Sequence, residues 1–348
     1  MTISLSDLGW SAHFMMQIEA DDLETFTPAR ISQVHRTRLD ALTVGGEASL
    51  ITKSTDTTGD FAVGDWVLVN NDGQVVQLLD RLSVLRRKAA GPQSKPQLIG
   101  ANVDVIFIVT SCNKDFNPAR LERYLVLARA AEIQPVAVLT KADLTQDAAG
   151  FERRVQALDP MLPVLSLDAR SKEQADTLAD WWRAGQTAAL LGSSGVGKTT
   201  LLNSLGDMDV LTMGIREDDA KGRHTTTARG LYSIAGGRWL IDTPGMRELG
   251  LHDVAEGVDA VFADLVGLAA NCRFNNCNHE DEPGCAVQEA IASGDLDPDR
   301  LKRWQKLERE ERHNNETIAE ARRRNRDRGR YIKRISSERM AMKGRPPK

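Results

Sequence analysis

No apolar run in the sequence approaches the ~18 residues that a membrane-spanning helix needs, so a membrane partner is not expected. The opening stretch, MTISLSDLGWSAHF, lacks the basic segment and apolar core of a secretory signal, and the expected compartment is the cytoplasm. Cysteine is scarce, with four in 348 residues, and where no leader is expected these do not read as a disulfide framework. Internal repeats are absent. Net charge is also small, at −4, and by itself points to no class of partner. What remains is the composition of a soluble globular protein, 41% hydrophobic and 27% charged, long enough for two or three domains.

The charge is unevenly spread. From Glu320 to Lys348 there are 12 Lys and Arg against 3 Asp and Glu, a balance of +9, which leaves −13 on the rest of the chain. A basic tail on an acidic body suits a polyanionic partner, nucleic acid before membrane.

Residues 1–28 are polar and weakly patterned and read as an N-terminal extension. Between 29 and 85 the short β-like runs ARISQV, ASLIT, GDWVLV and QVVQLL, with Asn71-Asp72-Gly73 as a hairpin signal, predict a small closed β-barrel. An oligonucleotide-binding (OB) fold is favoured, though pattern alone does not separate it from an SH3-like barrel. Residues 86–98 (RRKAAGPQSKPQL) are basic and rich in Gly, Pro and Ser and read as a linker.

Over 99–249, the apolar runs VDVIFIVTS, PVAVLTKAD, LPVLSLDA and TAALLGSSG suit strands buried on both faces. The segments between them have helical spacing. With the hairpin GLYSI/RWLID, they predict a doubly wound α/β domain with six strands, five parallel and one antiparallel, and ligands at the strand carboxyl ends. Residues 250–325 read as helical around a Cys/His cluster, with Leu301, Trp304 and Leu307 on one side of a charged helix, and 326–348 as a basic tail.

Gly192-Ser193-Ser194-Gly195-Val196-Gly197-Lys198-Thr199 matches the phosphate loop G-x-x-x-x-G-K-[ST] between a buried strand and a helix start. The glycines let backbone N–H groups close around a β-phosphate, Lys198 reaches the β/γ oxygens and Thr199 offers its hydroxyl to Mg²⁺. Asp242-Thr243-Pro244-Gly245 ends the strand RWLI. There Asp242 can hold Mg²⁺ through water, and the Gly245 N–H can sense a γ-phosphate. Thr140-Lys141-Ala142-Asp143 follows PVAVL. The Asp143 carboxylate can accept guanine N1–H and N2–H, a pair adenine does not offer, and the Lys141 stem can cover the ring. Asn is commoner at the first position, where Thr140 keeps a hydroxyl and loses the amide. Ser166-Leu167-Asp168-Ala169 can add backbone contacts to the guanine carbonyl. The loop Lys221-Gly222-Arg223-His224-Thr225-Thr226-Thr227 lies where a switch threonine must reach Mg²⁺, and Thr226 is the expected one. Met246 stands where many switch GTPases carry a water-orienting Gln, so His224 is the nearest candidate for that work, against the alternative of an ordinary loop histidine.

These motifs run in an unusual order: guanine-reading segments at 140 and 166 precede the phosphate loop at 192, the threonine loop at 225 and DTPG at 242. All can occupy their usual places only in a circularly permuted domain, which neighbouring termini tolerate. Beyond it, Cys272, Cys277, His279 and Cys285 place three thiolates and an imidazole within 14 residues. That is a soft donor set suited to closed, structural, tetrahedral Zn²⁺.

The permuted order, the GRHTTT loop, the barrel in front and the C-x₄-C-x-H-x₅-C module behind together resemble the RsgA family of bacterial ribosome-associated GTPases, over residues 29 to 330. The resemblance implies a circularly permuted P-loop GTPase domain with an N-terminal OB-type barrel and a C-terminal helical zinc-binding domain. It also implies a late role in maturation of the small ribosomal subunit, with subunit-stimulated GTP hydrolysis and contact with its rRNA. Carried over by motif, nucleotide contacts fall on Thr140 to Asp143 and on Gly192 to Thr200, and one zinc falls on Cys272, Cys277, His279 and Cys285. A monomer is expected. Two other readings are a guanine-nucleotide switch serving a different partner and a non-enzymatic RNA-binding module that senses nucleotide.

Overall fold

The computed structural model describes residues 3–19, 21–88, 96–205, 230–242 and 253–315. Strands β1 (Thr27–Val34), β2 (Leu39–Thr43), β3 (Gly46–Leu50), β4 (Trp66–Val69) and β5 (Val75–Leu78) pair in the order β3-β2-β1-β4-β5. A parallel bridge between Ile51 and Gln74 closes the sheet, with Ile51 N–H donating to Gly73 O at 3.0 Å and Val75 N–H to Ile51 O at 3.0 Å. This closed order is that of the OB fold, and it decides between the two barrel types. Alternation explains its two-sided burial. Ala29, Ile31, Val67 and Val69 fill the barrel, while Trp66 and Leu68 on the outer face join the core shared with the rest of the molecule. Asn70 closes the β4–β5 turn by accepting from Asp72 and Gln74 N–H, with Gly73 at φ +75°.

The N-terminal segment, with short helices α1 (Ala12–Met15) and α2 (Asp22–Thr25), packs against the barrel and the second sheet. Leu8 and Phe14 are buried in the shared core, and Trp239 Nε1–H donates to Asp7 O at 2.7 Å. Arg30, 1% exposed, ties the segment to both domains: it donates to Leu8 O at 2.6 Å and to Thr187 Oγ1 at 2.5 Å and lies over Trp66 and Trp239. Burial pulls this guanidinium down to about 10 against the attraction of Asp104, so it stays charged at neutral pH. The stretch read as a linker has its described ends in a two-stranded ribbon, β6 (Val84–Lys88) against β7 (Pro96–Ala101). Backbone pairing there overrides a Gly/Pro-rich composition.

The second sheet contains β8 (Val105–Ser111), β9 (Gln134–Thr140), β10 (Val164–Ser166), β11 (Thr187–Leu191), β12 (Gly230–Ile234) and β13 (Arg238–Asp242), ordered β10-β9-β8-β11-β13-β12. All neighbours are parallel except β12, which runs antiparallel to β13. The uninterrupted apolar runs follow from coverage of both faces. Ile106, Ile108, Leu139 and Leu191 enter the core under α3 (Pro118–Ala130) and α4 (Ala148–Gln156). Phe107, Val109, Val138 and Leu190 enter the core under α5 (Lys172–Asp176) and α6 (Lys198–Leu205).

Among the described residues four more helices follow: α7 (Ala255–Val261), α8 (Ala263–Ala269), α9 (Ala286–Ser293) and α10 (Pro298–Asn315). Helix α7 packs on α3 at backbone contact, since a Cβ on Gly257 would lie 2.3 Å from Val126 O. Leu301, Trp304 and Leu307 of α10 are buried as the helical spacing predicts. Arg300 and Arg303 close on the buried Glu122 of α3 at 3.0 and 2.6 Å, and Arg123 holds Glu310 through both its Nη atoms. Among the described residues no helix is long and apolar enough to cross a membrane.

Candidate functional site

The carboxyl ends of β8, β9, β10 and β11 meet along one edge of the sheet, beside the point where successive connections turn in opposite directions from β8 and β11. This is the crevice in which doubly wound sheets bind ligands. The segment 192–197 leaves β11 there and turns into α6 at Lys198. Two of its glycines are required by the backbone: Gly192 has φ +157° and a Cβ on it would lie 2.3 Å from Val109 O, and Gly197 has φ +98°. Val196 is buried in the core and anchors the loop. The Lys198 ammonium donates to Gly192 O and Ser193 O, both at 2.7 Å, so it lies across the loop mouth. Ser194, Gly195, Thr199 and Thr200 are exposed at the same edge.

Thr140 ends β9 fully buried. Its hydroxyl lies 3.1 Å from Thr110 O and also reaches Val196 O, binding β9 to both β8 and the phosphate loop. The residue that departs from the commoner Asn therefore has a positioning contact and no exposed surface for a base. Lys141 takes a left-handed φ of +58° that lays its stem over the loop, with Nζ–H donating to Gly195 O at 2.9 Å. Ala142 N–H donates to Leu167 O at 3.4 Å, joining the β9 and β10 ends. The Asp143 carboxylate accepts from Arg170 at 2.7 Å, and the same guanidinium holds Asp168 through Nε and Nη2, both at 3.0 Å. Hydrogen bonds from Arg170 hold the Asp168 carboxyl below its ordinary range, and Asp168 in turn raises Arg170. No sequence pattern announced Arg170; only the fold brings it to Asp143.

Asp242 is the last residue of β13, opposite Gly230. His224, Thr226, Gly245 and Met246 lie outside the described residues.

The second candidate site sits between α8 and α10. Cys272, Cys277, His279 and Cys285 bring their donor atoms within 4.8 Å of one another. His279 Nδ1 lies 3.6 Å from Cys272 Sγ and 3.5 Å from Cys285 Sγ, and those two sulfurs are 3.9 Å apart. A tetrahedral ion with zinc-like bonds requires edges of about 3.6 Å for S···N and about 3.8 Å for S···S, so the donors fit a metal ion. All four cysteines are free thiols. Burial resists ionisation of Cys272, but backbone N–H groups of Ala286 and Val287 at the start of α9 outweigh it and hold its pKa below the ordinary value. Desolvation and the adjacent sulfurs push Cys277 up to about 11. A cation at the centre reverses that balance. His279 is held outside the sulfurs as well: Gln288 donates to its carbonyl, and its ring lies 5.7 Å from that of Trp304.

Comparison with known proteins agrees with this geometry. The family model described as RsgA GTPase matches residues 78–252. A Mesorhizobium japonicum protein named small ribosomal subunit biogenesis GTPase RsgA is 53% identical over 89% of this chain and 91% of its own. A Vibrio parahaemolyticus protein named small ribosomal subunit biogenesis GTPase RsgA 2 is 46% identical over 96% and 93%. Among solved structures, YjeQ from Thermotoga maritima superposes with a TM-score of 0.60 at 23% identity, covering 81% of this chain and 97% of that one. YloQ, described as a circularly permuted GTPase, superposes at 0.56 with 25% identity, covering 84% and 97%. The chain belongs to the RsgA GTPase family and is a circularly permuted GTP hydrolase.

Proposed function

We propose that this GTPase binds the small ribosomal subunit in the cytoplasm and acts late in its maturation, hydrolysing GTP to GDP and phosphate at a rate the subunit stimulates. One observation carries the reading: the phosphate loop, TKAD and the β10 end converge on one crevice, in a molecule that also has an OB barrel and a Cys₃His module. The first two relatives, which match along nearly their full lengths, bear the small-subunit name.

In this reading Lys198 and the loop from Gly192 to Thr200 hold the phosphates, with Thr199, Thr226 and Asp242 serving Mg²⁺ and Gly245 sensing the γ-phosphate. Lys141 covers the guanine and Asp143 reads its N1–H and N2–H, which requires Arg170 to share or release that carboxylate. Thr140 and Ala142 set the positions of both. Mg²⁺, when bound by these residues, would supply neutralisation of charge on the phosphates. One Zn²⁺ on Cys272, Cys277, His279 and Cys285 orders the C-terminal module. His224 orients the hydrolytic water in place of the Gln that Met246 replaces. The OB barrel and the basic tail face rRNA, and the protein acts as a monomer.

Turnover of GTP by the purified protein with and without small ribosomal subunits tests this directly. Slow basal hydrolysis, many-fold stimulation and loss of both in Lys198→Ala are expected. Stimulation equally strong with large subunits, or turnover unaffected by Lys198→Ala, would contradict it.

A further inference from the structure

Hydrolysis by a switch GTPase lacking the usual water-orienting Gln puts more weight on charge at the transferring phosphate. Lys198 is one cation at the loop mouth. The structure holds a second: Arg120, in the first turn of α3, whose Nη1–H donates to Ser193 Oγ at 3.2 Å. Ser193 thus receives Lys198 on its carbonyl and Arg120 on its hydroxyl, which puts both cations on one residue of the phosphate loop.

The backbone under Arg120 is fixed from several sides. Pro118 opens α3, and the Asn117 side chain caps it by accepting from the Arg120 N–H at 3.2 Å. Two residues further, the carboxylate of Glu122 is held by Arg300 and Arg303, and Arg123 holds Glu310, so ion pairs on the next residues pin the helix that carries Arg120. The side chain itself is exposed and ends at a neutral hydroxyl. A guanidinium carries five N–H donors in a planar fork that matches phosphate oxygens. A serine hydroxyl is a weak partner for it, readily exchanged for a stronger one.

From this geometry we propose that Arg120 is an arginine finger supplied in cis: with GTP bound it leaves Ser193 for an oxygen of the γ-phosphate and stabilises the charge of the transferring group. In the step it serves, the oxygen of water forms a bond to the γ-phosphorus as the bond to the β–γ bridging oxygen breaks. The electron pair stays with GDP, and the proton of water passes to the departing phosphate. Arg120 takes no proton; it neutralises charge on the equatorial oxygens. Such a cation is worth on the order of 10³-fold in turnover, while contributing little to GDP, which lacks the group it touches. This inference rests on the nucleotide lying in the Gly192–Thr199 loop as proposed above.

The test is Arg120→Ala in the full-length protein, with thermal unfolding checked against wild type because the side chain is exposed. Binding of GDP and of GDP with aluminium fluoride, the mimic of the transferring phosphoryl group, is measured beside single-turnover hydrolysis with saturating small subunits. The expected result is GDP affinity within about 2-fold of wild type, aluminium fluoride complex formation weakened at least ~10²-fold and hydrolysis slowed by a similar factor. Turnover within ~3-fold of wild type would overturn the proposal. So would equal losses of GDP and GDP–aluminium fluoride binding, which would mean that Arg120 only orders the loop through Ser193. Failure of the underlying site is distinguishable: wild-type nucleotide binding would then be insensitive to Lys198→Ala, and this proposal would fall with it.

Discussion

Glu122 is the carboxylate on which the join between the GTPase sheet and the C-terminal module turns. It is fully buried, and its two oxygens take Arg300 Nη1 at 3.0 Å and Arg303 Nε at 2.6 Å. Removing one partner of a buried ion pair costs ~3–5 kcal/mol, because the remaining charges stay buried. Here the lower end applies, since Arg300 retains Asp264 at 2.8 Å and Arg303 retains Asp297 at 3.6 Å. A Glu122→Ala loss of ~3 kcal/mol corresponds to a factor of ~10² in local opening. Hydrogen exchange is the suitable assay, because a multidomain chain has no single unfolding free energy. Amides of α7 and α10 should exchange ~10² times faster, while those of the barrel strands β1 and β4 should not change. Glu122→Gln keeps an acceptor and should lose about half as much. The pH dependence has a definite sign. Burial outweighs Arg303 and Arg300 and raises the Glu122 pKa above 4.5. The folded state therefore favours the protonated acid, and this contribution is present below the ordinary value and lost as pH rises through the raised one. The gap between wild type and Glu122→Gln should accordingly widen as pH falls through that range, because the wild type gains the contribution and the glutamine, which does not titrate, gains none. Unchanged protection of α10 in Glu122→Ala would refute the reasoning, as would a uniform rise that includes the barrel.

Other sites give independent checks. Thr140→Val removes the hydroxyl that binds β9 to the phosphate loop and leaves buried acceptors unmet, a loss of ~1–3 kcal/mol that should weaken GDP and GTP binding alike by equilibrium titration. Cys277→Ser should release zinc, as read by metal analysis, and loosen 253–315 while leaving GDP binding intact. Because desolvation pushes the Cys277 thiol up to about 11, protons compete with the metal, and zinc affinity should fall steadily as pH is lowered. His224→Ala should cut subunit-stimulated turnover far more than GTP affinity; full stimulated turnover in that variant would make His224 an ordinary loop residue.

The parts of this molecule that were readable from sequence are those whose determinants are local. Alternation in GDWVLV and QVVQLL marked barrel strands, apolar runs marked buried parallel ones, and four metal donors within 14 residues marked their own cluster. The barrel type was not readable, because it depends on the Ile51–Gln74 closure between strands that are not adjacent in sequence. The ribbon β6–β7 has the composition of a linker, whereas its pairing, Leu85 with Gly100 among others, is set by tertiary position. The remaining surprises are long-range polar contacts: Arg30 with Thr187 across 157 residues, Arg123 with Glu310 across 187, and Arg170 with Asp143. A lone arginine in a sequence carries no mark of whether it is solvated, buried or aimed at a phosphate loop. Burial of Arg30 and Arg300 is visible only once the helices and strands around them are in place.

The central claim is that TKAD and the phosphate loop, in permuted order, form one guanine-nucleotide site. Asp143→Asn tests it most directly. The carboxylate accepts two N–H groups of guanine; an asparagine amide offers a donor in their place, which suits xanthine, whose second ring position bears a carbonyl. Competition titration of GTP against XTP should show the wild type preferring GTP, and Asp143→Asn losing that preference by at least ~10²-fold while gaining affinity for XTP. Unchanged discrimination between the two nucleotides in Asp143→Asn would contradict the account, because the base would then be read elsewhere.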